Sequence, residues 1–407
     1  MVARERPLTL PPFADRSSLL GADTAFDLLA EVNRMRSQGR NVISFGIGEP
    51  DMPTPAHVVD AAKEALNEGL TRYGPTEGIP ELRKAIAVRI ATTRGITVQP
   101  EQVIVAPGAK PFIFYALATL VNSGDEVLYP NPGFPSYESV IRWIGARPVA
   151  MPLADANGFG IDRAALTGAM SDRTKLIILN SPNNPTGAML DPDDLHFIAE
   201  LAARHNCWVL SDEIYSQLVY GAPFASIASL PSMAERTIIM DGFSKSYAMT
   251  GWRLGYAVMH PDVARLMARV EMNVESCTYT FGQAAAVTAL TGSQDQTDAF
   301  VAELHERAAL IVDLLNAIPG VSCVAPRGAF YAFPNVTGAC DRLGLPNAET
   351  LADRLLQEAG VAVLPRSCFG PRNPGETGEY IRLSFATSTA NIRDGVARIA
   401  RFVERGT

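Results

Sequence analysis

Lysine is the most informative of the side chains that could do covalent chemistry, because the chain has so few. Only Lys63, Lys84, Lys110, Lys175 and Lys245 occur in 407 residues. Lys63 and Lys84 sit in amphipathic helical patterns among Glu and Arg, where a solvated face is their expected role. Lys175 opens a strand and is expected at its exposed edge. Lys245 differs. It follows an apolar run in a loop of small polar residues, 241-DGFSKSYAMTGWR-253. A lysine in a partly desolvated pocket loses proton affinity and becomes a usable amine nucleophile. Two further polar clusters, Asn180 to Thr186 and Asp212 to Tyr215, also follow apolar runs. Three such clusters at strand ends point to a single site.

Other chemistries find little support. No GxxxxGK[ST] phosphate loop is present, no G-x-G-x-x-G follows a strand, and no G-x-S-x-G elbow occurs. None of the five histidines (His57, His196, His205, His260, His305) falls at a strand end, so a serine–histidine hydrolase is not indicated. His196 and His205 read as surface residues of a helix. The five cysteines are scattered with no CxxC pair, which argues against a disulfide framework or a metal site and favours a reducing compartment. A net charge of −8 leaves no basic surplus for nucleic acid. The N-terminal residues lack an apolar run of signal-peptide length, and no segment reaches about 18 uninterrupted apolar residues. The expectation is a cytoplasmic protein with no membrane partner.

The elements that must position these clusters can be read from periodicity. Short apolar runs at 103-VIVA-106, 126-EVLYP-130, 175-KLIILN-180, 207-CWVLSDE-213, 237-TIIMDGF-243 and 255-GYAVM-259 predict strands. Helical patterns lie between several of them, such as 191–205, where Asp191 and Pro192 read as an N-cap and a first-turn proline. This alternation predicts an α/β fold with a mostly parallel sheet covered by helices on both faces. Ligands in such sheets sit beyond the carboxyl ends of the strands, where the polar clusters fall. After about residue 290 the texture changes. A long helix (297–318), short strands at 321–324, 329–333, 361–364 and 380–385, and a last helix (390–404) predict a smaller α+β domain. The chain is too long for one core of about 150 residues. The expected division is a large domain over 46–292 and a small one formed by 1–45 with 293–407.

Seven motifs, in order, carry a resemblance that covers most of the chain. They are 46-GIGEPD-51, 73-YGPTEGIPELR-83, 107-PGAK-110, 181-SPNNPTG-187, 212-DEIY-215, 244-SKSYAMTGWRLGY-256 and 380-YIRLSFA-386. Together they resemble the fold-type I aminotransferases that use pyridoxal 5′-phosphate (PLP), the aspartate aminotransferase-like family of class I/II. The resemblance implies that Lys245 holds PLP as a Schiff base and later moves the substrate α-proton. It implies that Asp212 pairs with the pyridine nitrogen, keeping the ring electron-withdrawing. Asn184 and Tyr215 would donate to the phenolic oxygen, with Pro182 and Pro185 holding the asparagine loop extended. Phe134, in 131-NPGFPSY-137, would stack on the ring, where many relatives carry tryptophan or tyrosine. The backbone N–H groups of Gly108, Ala109 and Lys110 at a helix start, together with Ser244 and Arg253, would hold the phosphate. Tyr73 matches a tyrosine that reaches the phosphate from a neighbouring subunit, which implies a homodimer with shared active sites. Arg382 would bind the substrate α-carboxylate in a two-pronged pair. Its strand pattern sets it on one face with Tyr380 and Ser384, which alone fits a surface arginine as well. Gly48 would lie against the substrate.

The implied reaction is a ping-pong exchange of an amino group between an L-amino acid and a 2-oxo acid. An acidic or otherwise polar donor of the aspartate, glutamate or alanine type is the expectation. Lys110 reads equally as a ligand for a distal carboxylate, with Arg16 or Ser17 as candidate helpers, and as a helix-start residue facing solvent. Arg366, in 364-LPRSCFG-370, stands where relatives commonly have glycine, and could reshape specificity or face water. Another PLP enzyme on the same fold, such as a β-lyase or a biosynthetic enzyme of specialised metabolism, stays open, as does a non-catalytic regulator. Against the last stand the intact Lys245, Asp212 and Arg382, and the lack of a DNA-binding module.

Overall fold

The computed structural model describes residues 10–21 and 24–405. Its centre is a seven-stranded sheet: β1 (Val103–Ala106), β2 (Glu126–Asn131), β3 (Arg147–Pro152), β4 (Thr174–Asn180), β5 (Trp208–Asp212), β6 (Thr237–Gly242) and β7 (Gly255–Val258). The spatial order is β1-β7-β6-β5-β4-β2-β3, parallel throughout except for β7, which runs against both its neighbours. Six of the strands are buried along their whole length or nearly so, and their residues alternate between two apolar layers. Val127 and Leu210 pack into one layer with helices Pro111–Leu120 and Pro261–Val274, while Leu128 and Val209 face the other with helix Pro192–Arg204. A sheet covered on both faces reads as continuous apolar runs, which is why six of the strands were legible.

β3 was not expected. It is the edge strand, begins exposed at Arg147, and contains Pro148 and Pro152, so it lacks an apolar run. The strand expected at 321–324 does not form. The Asn316 side chain accepts from Cys323 N–H at 2.8 Å and donates to its carbonyl at 3.2 Å, which leaves only an isolated bridge from Ser322 to Asn335. Asp191 stands at the N-cap position of its helix but does not cap it with its side chain; that carboxylate pairs instead with Arg327 at 2.6 Å.

Toward the C-terminus a three-stranded antiparallel sheet joins β8 (Tyr331–Ala332), β9 (Leu364–Pro365) and β10 (Ile381–Ser384) in the order β9-β10-β8. The register sets Arg382 opposite Leu364 and Ser384 opposite Tyr331. Ile43 and Ser44 pair in parallel with Val361 and Ala362, so the chain just before residue 46 is tied to this C-terminal part. Among the described residues, no helix is long and apolar enough to cross a membrane, and no group of three or more His, Cys, Asp or Glu could hold a metal ion.

Candidate active site

The carboxyl ends of β4, β5 and β6 lie side by side, with Asn180 opposite Asp212 and Asp212 opposite Met240. A cavity of about 600 Å³ opens beyond them. Its lining brings together Gly48, Ala109, Lys110, Phe134, Asn184, Asp212, Tyr215, Ser244, Lys245, Arg253 and Arg382, so distant sequence motifs meet in one place.

Asp212 ends β5 and is 5% exposed. Burial pushes its carboxyl up to about 7, against the lowering effect of two donors. These are the Tyr137 hydroxyl, which donates to Oδ2 at 2.5 Å, and the Ile214 N–H at 3.3 Å from Oδ1. Such a carboxylate is costly unless a positive group comes to meet it. Lys245 follows β6 and its Nζ donates to the Gly48 carbonyl at 2.5 Å. Burial, and then the positive Arg382, bring its pKa down to about 8. Its amine is therefore far easier to deprotonate than an ordinary lysine's.

Tyr215 and Tyr331 share a hydrogen bond, oxygen to oxygen, at 2.7 Å, and burial raises the Tyr215 phenol well above its usual range. A Cβ at Gly48 would collide with the Tyr331 hydroxyl. Asn184 turns its Oδ1 to Arg382, which donates to it at 3.0 Å, so the amide nitrogen is the end left to donate elsewhere. The asparagine loop is turned rather than extended: the Gly187 N–H donates to the Asn183 carbonyl at 2.9 Å and the Asn183 N–H to the Ala188 carbonyl at 2.8 Å. Arg382 is 3% exposed, despite a strand pattern that also fitted a surface position. Its guanidinium lies between Tyr331 and Phe369, 4.5 and 5.0 Å from the ring centroids, and also donates to Gly46 O. Its Nε is buried without a partner.

At the other end, Gly108 adopts φ +98°, a conformation suited to glycine, and a Cβ there would run into the Arg253 guanidinium. Arg253 Nη1 donates to Thr250 O at 2.8 Å. The Gly108 N–H, expected to face a phosphate, donates to Ala106 O at 2.7 Å instead. Gly108 thus contributes space rather than a donor. Ala109 and Lys110 stand at the start of helix Pro111–Leu120, whose N-terminus favours an anion. Lys110 is exposed but also lines the cavity, with its ammonium 5.1 Å from the centroid of Phe134, so this lysine faces both solvent and the site.

Four expected contributors fall elsewhere. Tyr73 is 90% exposed and does not line this chain's cavity. Arg16 and Ser17 belong to a short 3-10 turn, Asp15–Leu19, where Arg16 lies over Trp143, so neither lines the cavity. Arg366 is 1% exposed and reaches neither water nor the cavity; a buried ion pair with Glu376 holds it. Sequence reasoning missed Tyr137 and Tyr331. Tyr331 lies in an apolar run (329-AFYAF-333) and Tyr137 between Ser136 and Glu138 at a helix start; a buried hydroxyl that must find a partner was the available signal. It also missed Phe26 and Leu29, through which helix Thr24–Ser37 forms one wall.

This donor set suits PLP group by group. A buried carboxylate with an unmet need for a cation fits a pyridinium. A partly buried amine with a lowered pKa fits an aldehyde. The Phe134 face fits an aromatic ring. The glycine-walled space at Arg253 fits a phosphate.

The comparisons agree. The model for aminotransferase class I and II matches residues 40–399. The aspartate aminotransferase of Bacillus subtilis (strain 168) is 36% identical over 96% of this chain and 99% of its own length. Aromatic-amino-acid aminotransferase 2 of Thermococcus litoralis is 40% identical over 89% and 92%. The crystal structure of the aspartate aminotransferase from Rhizobium meliloti superposes with a TM-score of 0.90 at 36% identity, covering 98% of this chain and all of that one. The chain therefore belongs to the class I and II aminotransferases, PLP-dependent enzymes of fold-type I.

Proposed function

We propose that this aminotransferase binds its amino donor through Arg382 and Asn184, and that Lys245 is its proton carrier. The observation that carries the reading is the placement of Arg382. It lies between two rings in the cavity that also holds Lys245 and Asp212, with one guanidinium edge satisfied by Asn184 and Gly46 and Nε left over. A planar guanidinium held this way suits a carboxylate. PLP, when bound, supplies an electrophilic carbonyl and a ring that takes up the charge left when the α-proton departs. The chain's own residues do the rest. Lys245 Nζ, with its proton affinity lowered, accepts and returns the α-proton. Asp212, held by Tyr137, supplies the fixed negative charge. Tyr215, tied to Tyr331, and the Asn184 amide orient hydrogen bonds from the side. Gly108, Ala109, Lys110, Ser244 and Arg253 form the anion end, and Phe134 covers one face.

An acidic donor is favoured by the Lys110 ammonium in the cavity wall. A second reading, an aromatic donor, is favoured by the apolar wall of Phe26, Leu29 and Ile47. Loss of the visible cofactor absorbance on adding L-aspartate, L-glutamate, L-alanine or L-phenylalanine ranks the donors. For an acidic donor, Lys110→Ala raises the aspartate KM about tenfold, in line with one charge-assisted contact, and leaves phenylalanine unchanged. Turnover of large apolar amino acids alone, with no effect of Lys110→Ala, sinks the acidic reading.

The wider assembly belongs to the same proposal. The exposed Tyr73 completes the phosphate site of a second copy, making a homodimer. The chain divides into 46–292 and 1–45 with 293–407, and works in the cytoplasm. Residues 1–9, 22, 23, 406 and 407 of that division lie outside the described residues. Sedimentation of wild type and Tyr73→Phe, with PLP affinity measured on each, tests the shared site: the variant stays dimeric and binds PLP more weakly.

A further inference from the structure

Arg366 is the largest of the fully buried side chains, and every nitrogen of its guanidinium is engaged. Nε donates to Glu376 Oε1 at 2.7 Å and Nη1 to the Gly370 carbonyl at 2.9 Å. Nη2 reaches Glu376 Oε2 at 3.0 Å, with Asn131 Oδ1 and Pro371 O both at 3.1 Å. The Glu376 carboxylate is gripped on both oxygens and also accepts the Asn373 N–H at 2.9 Å. Asn131, wholly buried, closes the network: its Nδ2 donates to Pro371 O at 2.8 Å and to Asn373 Oδ1 at 2.7 Å. The Asn373 amide donates back to Asn131 O at 3.0 Å.

This network holds together two of the segments that carry aromatic side chains into the cavity, those of Phe134 and Phe369. Arg366 and Phe369 are the ends of one short 3-10 helix, and the Phe369 ring is one of the two that bracket the Arg382 guanidinium. Asn131 ends β2, three residues before Phe134. The Gly133 N–H donates to the Phe369 carbonyl at 3.0 Å, joining the two segments directly. Phe134 and Phe369 line the cavity, while Arg366 stands behind them.

We propose that Arg366 is a positioning residue for the α-carboxylate site, fixing Phe369 so that Arg382 meets the substrate at one height and tilt. The fork shape is essential to this. Glu376, Gly370 and Asn131 are met from three edges of one plane, whereas a lysine presents its donors around a point. Loosening residues 366–376 frees Phe369, and the Arg382 guanidinium loses one of its two faces. The effect falls on carboxylate recognition and spares the chemistry at Lys245. This inference rests on the assignment of Arg382 to the α-carboxylate.

The test uses PLP-loaded Arg366→Met and Glu376→Gln under single-turnover conditions. Two donors are compared: an L-amino acid, and the primary amine of the same side chain without the carboxylate. Expected for Arg366→Met is about a tenfold weaker apparent affinity for the amino acid, a maximal rate within about threefold of wild type, and an unchanged response to the amine. Glu376→Gln, which keeps a hydrogen-bonding amide, shows a smaller loss in the same direction and carries the comparison if Arg366→Met does not fold. Equal losses for both donors, or none for either, overturn the proposal. Arg382→Lys is run alongside. If it still prefers the carboxylate-bearing donor as wild type does, the assignment of Arg382 fails, and that failure is separable from one at Arg366.

Discussion

Tyr137→Phe removes one oxygen and tests how the negative charge of Asp212 is kept. In the apoprotein this carboxyl titrates near about 7 rather than its ordinary 3.8, because burial outweighs its two donors. The stronger donor is the Tyr137 hydroxyl at 2.5 Å, against the Ile214 N–H at 3.3 Å. A hydrogen bond to a charged group is worth roughly 1.5–3 kcal/mol, and it favours the ionised form. At about 1.4 kcal/mol per pH unit, its loss carries the Asp212 midpoint up by roughly one to two pH units. The sign for stability follows. A carboxyl with a raised folded pKa contributes stability that is present below pH 3.8 and lost as pH rises through about 7. In the variant that loss runs on to higher pH. Infrared titration of the protonated carboxyl band in apoprotein reads the midpoint, with Asp212→Asn identifying the band. In the PLP-loaded variant, the donor half-reaction slows by about tenfold while donor affinity, set at Arg382, stays put. A midpoint within a few tenths of wild type refutes the reasoning.

Three further outcomes are expected. Capture of PLP by apoprotein needs the neutral Lys245 amine, so its rate rises with pH around a midpoint near about 8; stopped-flow absorbance showing an ordinary lysine midpoint of 10.5 contradicts this. Arg94→Met leaves Glu213 and Asp241, with side chains 1% and 3% exposed, without their shared cation. Breaking such a buried pair costs about 3–5 kcal/mol, to be read from denaturant midpoints, and a cost under about 1 kcal/mol contradicts it. Gly48→Ala forces Tyr331 and its partner Tyr215 to shift, raising the donor KM, and Gly48→Ala with Tyr331→Phe recovers part of the loss because the colliding hydroxyl is gone.

The legible parts of the site share a physical cause. Asp212 ends a strand that is almost wholly buried, and Lys245 and Asn184 stand shortly after two others, so an apolar run followed by polar residues marks each. Arg253 and Arg382 were legible only through the motifs around them, since an arginine in a strand or loop suits solvent equally well. Tyr331 was hidden because a phenol in an apolar run looks like core until its hydroxyl's partner is known, and Tyr137 because its place between Ser136 and Glu138 reads as a solvated helix start. Arg366 stood out as a departure from the family pattern, but its buried network was not legible. It lies in a Pro- and Gly-rich stretch that reads as a solvated loop, and only the fold brings Asn131 and Glu376 to meet it. β3 escaped notice because an exposed edge tolerates the prolines that a central strand does not.

The reversal of β7 has a consequence for what the protein can tolerate in evolution or engineering. Because β7 runs against β6, residues 243–254 leave the sheet and return at the same end, carrying Lys245 near one foot of the loop and Arg253 near the other. One covalent span therefore sets the distance between the Lys245 amine and the Arg253 guanidinium, with Gly242 paired to Gly255 at its base. The loop acts as a caliper closed on a ligand of one length. Inserting or deleting a residue between 246 and 252 would reset both jaws together, whereas insertions in loops at the opposite end of the sheet leave the gauge unchanged.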